Sequence, residues 1–185
     1  MVVTTTGPVP AEQYHSLPLD PRTQLIQGDV VVDSPNLRHQ ILSGELYRQL
    51  ANWAAAGTGR GLVGMPVDVV LDDANVYTPD AWWVTDDHRP PSGAWRLDTA
   101  PDLVVEVRSP ATWRFDIGVK RARYEAAGVA EVWLVDTAAD TLLVFRRSAP
   151  AAPAFDDVTE LAAGETLTCP LPAGFALDLA ALFDR

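Results

Sequence analysis

From Asn36 to Ala56 the apolar residues Leu37, Ile41, Leu42, Leu46, Leu50, Trp53 and Ala54 recur at helical spacing, which predicts one long amphipathic helix. Asp33-Ser34-Pro35 supplies helix-start chemistry just before it. Upstream, Gln24 to Val32 predicts a short hairpin turning at Gly28-Asp29. Downstream, the glycines between Gly57 and Gly64 predict a loop. Pro66 to Leu71 alternates as a strand, Asp72 to Asn75 as a turn, and Val76 to Val84 as a second strand. Asp86 to Ala100, with Pro90-Pro91-Ser92-Gly93, reads as an exposed connection. Strand, helix and strand follow across residues 102–136, with Gly128 closing the helix. After a turn at Asp136 to Asp140 come a strand at Thr141–Arg146, a Pro- and Ala-rich tail from Ala149, and a small helix near Leu179–Phe183. The order predicts a single α/β domain over residues 21–185, a mixed β-sheet flanked by helices, with a right-handed β-helix-β crossover. Residues 1–20, rich in Thr and Pro, read as a flexible leader.

Composition narrows the function. A chain of 185 residues can bury roughly 70% of its unfolded surface in one core. A single cysteine, Cys169, excludes an intramolecular disulfide framework, and the scattered His15, His39 and His88 argue against structural zinc. No apolar run reaches the ~20 residues of a membrane span, and the first residues lack the pattern of a secretory signal, so the cytoplasm is the expected location. The formal net charge of −11 counts against a protein that coats nucleic acid. Arg108, Arg114, Lys120, Arg121 and Arg123 nevertheless fall in one stretch in which Asp116 is the only acid.

Glu106 lies among Leu103, Val104, Val105 and Val107, where a carboxylate is costly to bury unless it is paired or holds a metal. Asp80 lies in the preceding strand, and neighbouring strands can bring the two acids to one sheet edge. Such a pair suits Mg²⁺, which takes few protein ligands and keeps several waters. Lys120, on the next helix, could place an ammonium beside it. The alternative reading is a buried ion pair of Glu106 with Lys120 or Arg108.

The segment PDLVVEVRSPATWRFDIGVKRARYEAAGVAEVWLVD, preceded by VYTPD and RHQILSGELYRQL, resembles the Uma-two family of bacterial restriction-endonuclease-like proteins, within the PD-(D/E)xK nuclease superfamily. Its most specific parts are Glu-Val-x-Ser-Pro at Glu106 to Pro110, Asp-x-Gly-x-Lys at Asp116 to Lys120, and the run from Ala127 to Asp136. The resemblance implies a restriction-endonuclease-like fold and a Mg²⁺-dependent endonuclease, with Mn²⁺ as a substitute, hydrolysing phosphodiesters in nucleic acid, DNA favoured. It places the metal ligands at Asp80 and Glu106. The superfamily's usual lysine position holds Arg108 here, a planar fork that does not lose its proton. Lys120 is then the migrated lysine that orients water or steadies developing charge, and Arg108 a phosphate clamp. Cutting both strands of a duplex would call for two sites, hence a homodimer. A catalytically silent interaction or regulatory domain is the rival reading, and a metal-dependent hydrolase of another substrate is a third.

Glu45 falls beside the apolar arc of the first long helix and is a further candidate acid, against a solvated rim glutamate. His39 falls near the centre of that arc, where a hydrogen-bonded structural role outweighs a catalytic base. Asp116 is expected to cap the second helix and to pair with Lys120. Phe115, Val119, Ala122 and Ala126 share the face expected on the sheet, which leaves Lys120 off it. Trp95 and Trp113, in expected loops, are the tryptophans best placed to touch a ligand.

Overall fold

A computed structural model describes residues 7–19 and 23–185, with the backbone of residues 2–3. The chain runs β1 (Val2–Val3), α1 (Ala11–Tyr14), β2 (Thr23–Ile26), β3 (Asp29–Val32), α2 (Leu37–Ala55), β4 (Leu62–Gly64), β5 (Val69–Asp72), β6 (Asn75–Tyr77), β7 (Ala81–Val84) and β8 (Leu103–Val107). A helical stretch follows, made of α3 (Trp113–Phe115), a π-helical segment (Asp116–Lys120) and α4 (Arg121–Ala126). Then come β9 (Glu131–Asp136), β10 (Thr141–Arg146), β11 (Asp157–Ala162), β12 (Thr166–Cys169), β13 (Phe175–Asp178) and α5 (Leu179–Phe183).

The mixed α/β architecture is the expected one, but its strands form more than one sheet. The larger sheet has the order β11-β10-β9-β8-β7-β4, and only β8 and β9 pair in parallel. An antiparallel sheet, β1-β3-β2-β6-β5, and a hairpin, β12-β13, stand apart from it. The expected strand Val76–Val84 is therefore two strands. Its first half joins the smaller sheet as β6, its second half the larger sheet as β7, and Thr78-Pro79-Asp80 bridges them.

Other boundaries move for local reasons. The β2–β3 turn is Gln27-Gly28, both in the left-handed region at φ of 53° and 82°, one residue earlier than expected. The loop expected at Gly57–Gly64 ends in β4, where Gly64 lies under the Trp82 ring so closely that a Cβ would come within 2.0 Å of it. In the expected exposed connection, Leu97 is buried and exchanges backbone hydrogen bonds with Asp68 (2.8 Å) and Val70 (2.8 Å). Within the stretch set apart as a leader, Val9, Ala11 and Tyr14 are buried with Leu25, Val30 and Val76, because these apolar side chains cover the smaller sheet. The boundary placed between residues 20 and 21 lies outside the described residues.

Period-two alternation sends successive β8 side chains to opposite faces. Leu103, Val105 and Val107 join Leu42, Leu46 and Leu50 of α2 in the main core. Val104 joins Tyr77, Tyr124, Val132 and Leu134 on the other face, and Glu106, two residues on, shares that face. Gly128, at φ of 88°, ends α4 in a Schellman motif in which the Val129 N–H bonds Tyr124 O and the Gly128 N–H bonds Glu125 O. The parallel pair and its crossover helix thereby place Glu106 beneath Lys120 and Tyr124.

Candidate functional site

Asp80 sits where the chain leaves one sheet for the other. Its N–H donates to Val105 O (3.0 Å), extending the β7–β8 ladder, and its Oδ2 accepts the Val107 N–H (2.7 Å). The carboxylate is thereby fastened to the backbone beside Glu106. The same Oδ2 lies 3.2 Å from Nε2 of His39. Oδ1 has no hydrogen-bond partner among the described residues, and Asp80 and His39 line a cavity of about 150 Å³.

Glu106 is 3% exposed. Its Oε1 accepts the Tyr124 hydroxyl at 2.6 Å and lies 2.7 Å from Lys120 Nζ, whereas Oε2 takes no hydrogen bond from a described residue. Lys120 Nζ also contacts Asp116 Oδ1 (2.8 Å) and stands over the Tyr77 ring, 5.5 Å from its centre. Asp116 Oδ2 accepts Thr112 Oγ1–H (3.1 Å), the Thr112 N–H donates to Ser109 Oγ (3.2 Å), and Ser109 donates to Asp33 Oδ1 (2.9 Å). A continuous polar chain thus runs from the ammonium to Asp33, another residue of the Asp80 cavity wall.

Lys120 faces the sheet because the helix widens into a π turn at Asp116–Lys120. The inward residues are Asp116, Lys120 and Tyr124, while Ala122 and Ala126, expected on that face, are exposed. The widened turn rotates the lysine inward, and the alanines bury too little apolar surface to oppose it. Asp116 pairs with Lys120 as expected but lies inside the helical stretch and caps nothing.

Glu106 and Asp116 share the buried Lys120 ammonium, while neighbouring Asp80 is paired with His39. Burial raises the Glu106 carboxyl to about 8, against the opposing pull of Lys120, and Asp116 and Asp80 push it the same way as burial. Burial likewise raises Asp116. Burial acts to neutralise Lys120, but Asp116 and Glu106 overcome it and hold the amine charged. His39 is also raised, since the hydrogen bond and charge of Asp80 outweigh its burial.

The remaining candidates lie apart. Arg108 ties both oxygens of Asp136 (2.8 and 2.9 Å), stands over the Trp113 ring, and is about one-third exposed at the end of β8. Glu45 is buried but engaged by Arg48 (2.5 Å), Gln49 (2.9 Å) and Arg185 (3.3 Å). Arg48 holds it below the ordinary carboxylate range. The residue of α2 that reaches Asp80 is instead His39, which sits in the first helical turn, where Asn36 Oδ1 accepts its N–H (2.9 Å). Sequence reasoning passed over Tyr124, Tyr77, Thr112 and Asp33. A signal for the cluster was present in the residue counts: Lys120 is the sole lysine beside 13 arginines.

No group of three or more His, Cys, Asp and Glu side chains among the described residues is arranged as a metal cage. Oδ1 of Asp80 and Oε2 of Glu106, without partners among the described residues, are the donor type for a hard cation that keeps most of its water, and Glu106 would have to give up its proton to serve as one.

The profile of the Uma2 family, described as "Putative restriction endonuclease", matches residues 11–180. No curated protein matches the chain. Among solved structures, one similar to this chain is titled as the crystal structure of "a putative nuclease belonging to DUF820 from Anabaena variabilis ATCC 29413". It has a TM-score of 0.81 and 17% identity, covering 96% of this chain and 98% of that one. At that identity the likeness is one of fold. With its nuclease-like α/β fold and a family match spanning nearly its whole length, the chain belongs to the Uma2 family.

Proposed function

We propose that the protein is a Mg²⁺-dependent endonuclease acting on nucleic acid, DNA foremost, with Asp80 and Glu106 as the metal ligands. The observation that carries this reading is the pair of unengaged carboxylate oxygens, on Asp80 held by His39 and the Val107 N–H and on Glu106 held by Lys120 and Tyr124. Family membership supports the reaction class. When bound, the cation supplies Lewis acidity toward a phosphate oxygen and lowers the pKa of a water. Lys120, held by Asp116, steadies negative charge developing on the phosphate. Tyr124 fixes the Glu106 carboxylate, and His39 with the Val107 N–H fixes that of Asp80. Arg108, part-exposed at the strand end, clamps a neighbouring phosphate by exchanging it for Asp136. Glu45, saturated by its own partners, has no part in this assignment.

One observation favours a second reading, a nuclease fold without catalysis: Lys120 closes on Glu106, and the pair is almost wholly removed from solvent. A plasmid-nicking assay with Mn²⁺ separates the two. Native protein should nick the plasmid, and Glu106→Gln should slow nicking at least ~100-fold. Equal nicking by both proteins, or none by the native one, overturns the endonuclease reading.

A further inference from the structure

Beside the Asp80 cavity lies a second one of about 320 Å³, and the two share Thr23, Pro66 and Thr78 as wall residues. Trp95 is another wall residue of this second cavity and is 64% exposed. Exposure alone does not set it apart, since Leu37 is more exposed still; what does is an indole, with its broad π-face, held in place at a cavity wall. The exposure is not that of a loose loop. Two residues on, buried Leu97 is hydrogen-bonded to Asp68 and Val70, and one residue before, the Ala94 N–H donates to Pro91 O (3.1 Å). The Arg96 guanidinium lies 4.8 Å from the centre of the Trp95 ring and is itself fixed by Asp98 (2.7 Å). His15 meets the indole edge-to-face at 5.2 Å. With Arg96 over one face and His15 meeting it edge-to-face, the ring is a braced aromatic whose opposite face is the one available to a ligand, one cavity away from Asp80.

We infer that Trp95 is a stacking platform for an unpaired nucleobase of the substrate, so that the preferred nucleic acid is a single-stranded or locally unpaired stretch. This rests on the endonuclease reading, because the continuous walls would lead a strand from Trp95 to Asp80. The charge balance points the same way. A protein of net charge −11, whose arginines nearest Trp95, Arg96 and Arg89, are already paired with Asp98 and Asp86, has little free basic surface there for gripping duplex phosphates. A π-face binds any base regardless of that deficit, and a base inside a duplex does not offer its face.

The test compares native protein, Trp95→Ala and Trp95→Phe in Mn²⁺. Each is titrated by fluorescence anisotropy against a short labelled single strand with phosphorothioate linkages to slow hydrolysis, and against the same strand made abasic. Trp95→Ala should bind roughly 5- to 150-fold more weakly and Trp95→Phe close to native. The abasic strand should lose affinity for native protein but not for Trp95→Ala. Unchanged melting temperatures would show that both variants are folded. Native-like binding by Trp95→Ala, or equal binding of abasic and intact strands by native protein, overturns the stacking assignment alone. Failure of native protein to bind any strand overturns both this assignment and the endonuclease reading.

Discussion

Lys120 holds its Nζ 2.7 Å from Glu106 Oε1, and neither side chain is open to water. The ammonium is also the only ε-amine in the chain, so its accessibility can be read chemically without interference. Reductive methylation followed by intact mass should modify the amino terminus of the folded protein and spare Lys120. In denaturant both amines should react. Rapid modification of Lys120 in the folded protein would mean that the buried ion cluster does not persist in solution.

The same cluster makes stability depend on pH with a defined sign. The Glu106 carboxyl rises from 4.5 to about 8 on folding, mainly through burial, so the native state binds more protons than the unfolded one across that window. Its stabilising contribution is complete below the ordinary glutamate value and is lost as pH rises through about 8. His39, also raised, acts in the same direction above its ordinary value of 6.5. Glu45 and Asp136, lowered by folding, act oppositely, but below the ordinary carboxylate range. In chelator-containing buffer the melting temperature should therefore fall between about pH 6 and pH 9, and Glu106→Gln should flatten that fall. An identical slope in the variant would remove Glu106 as its source.

How much of this was legible beforehand depends on whether a residue's environment is set locally. The long helix and the strand Thr141–Arg146 follow from period alone, and the structure has them where the pattern puts them. The cost of burying Glu106 was likewise plain from its apolar neighbours. Glu131, equally buried on the adjacent strand, drew no such attention. Trp133, two residues on, and the distant Cys169 and Arg146 satisfy it, and only tertiary structure shows that it is a structural acid. The change of sheet at Thr78-Pro79-Asp80 has no signature in an apolar run whose alternation continues through it; Pro79, which cannot donate to a ladder, was the one hint. The π turn defeated the helical wheel that put Lys120 off the sheet, because a wheel assumes an unbroken 100° step. Gly64 read as loop chemistry, whereas its role is to let the Trp82 ring approach the backbone.

A divalent cation should stabilise the protein through the free oxygens of Asp80 and Glu106. At a concentration of about 100 times its dissociation constant, Mn²⁺ or Mg²⁺ would add roughly 2.7 kcal/mol, readable as a rise in melting temperature. Asp80→Asn and Glu106→Gln should each abolish the rise. The effect should grow with pH, opposite to the metal-free trend, because a ligating carboxylate must lose its proton first. A scaffold without a metal site would show no such rise at any pH.

His39 tests whether positioning around Asp80 matters apart from stability. Its Nε2 meets the Asp80 Oδ2 that also accepts the Val107 N–H, so the imidazole and the strand together fix the carboxylate with Oδ1 left free. Ser43 Oγ lies 3.4 Å from Nδ1 on the ring's other side and donates to His39 O (2.7 Å). Groups that orient a metal ligand without touching the ion typically change affinity 10- to 100-fold when removed. His39→Ala should therefore weaken Mn²⁺ binding by about that factor, measured by calorimetry, while the chelated protein still unfolds cooperatively. His39→Gln, whose amide can donate to the same oxygen, should recover part of the affinity. Equal Mn²⁺ affinity in His39→Ala and native protein would leave the histidine a core residue that merely neighbours the acid, and Asp80 would then owe its orientation to the Val107 N–H alone.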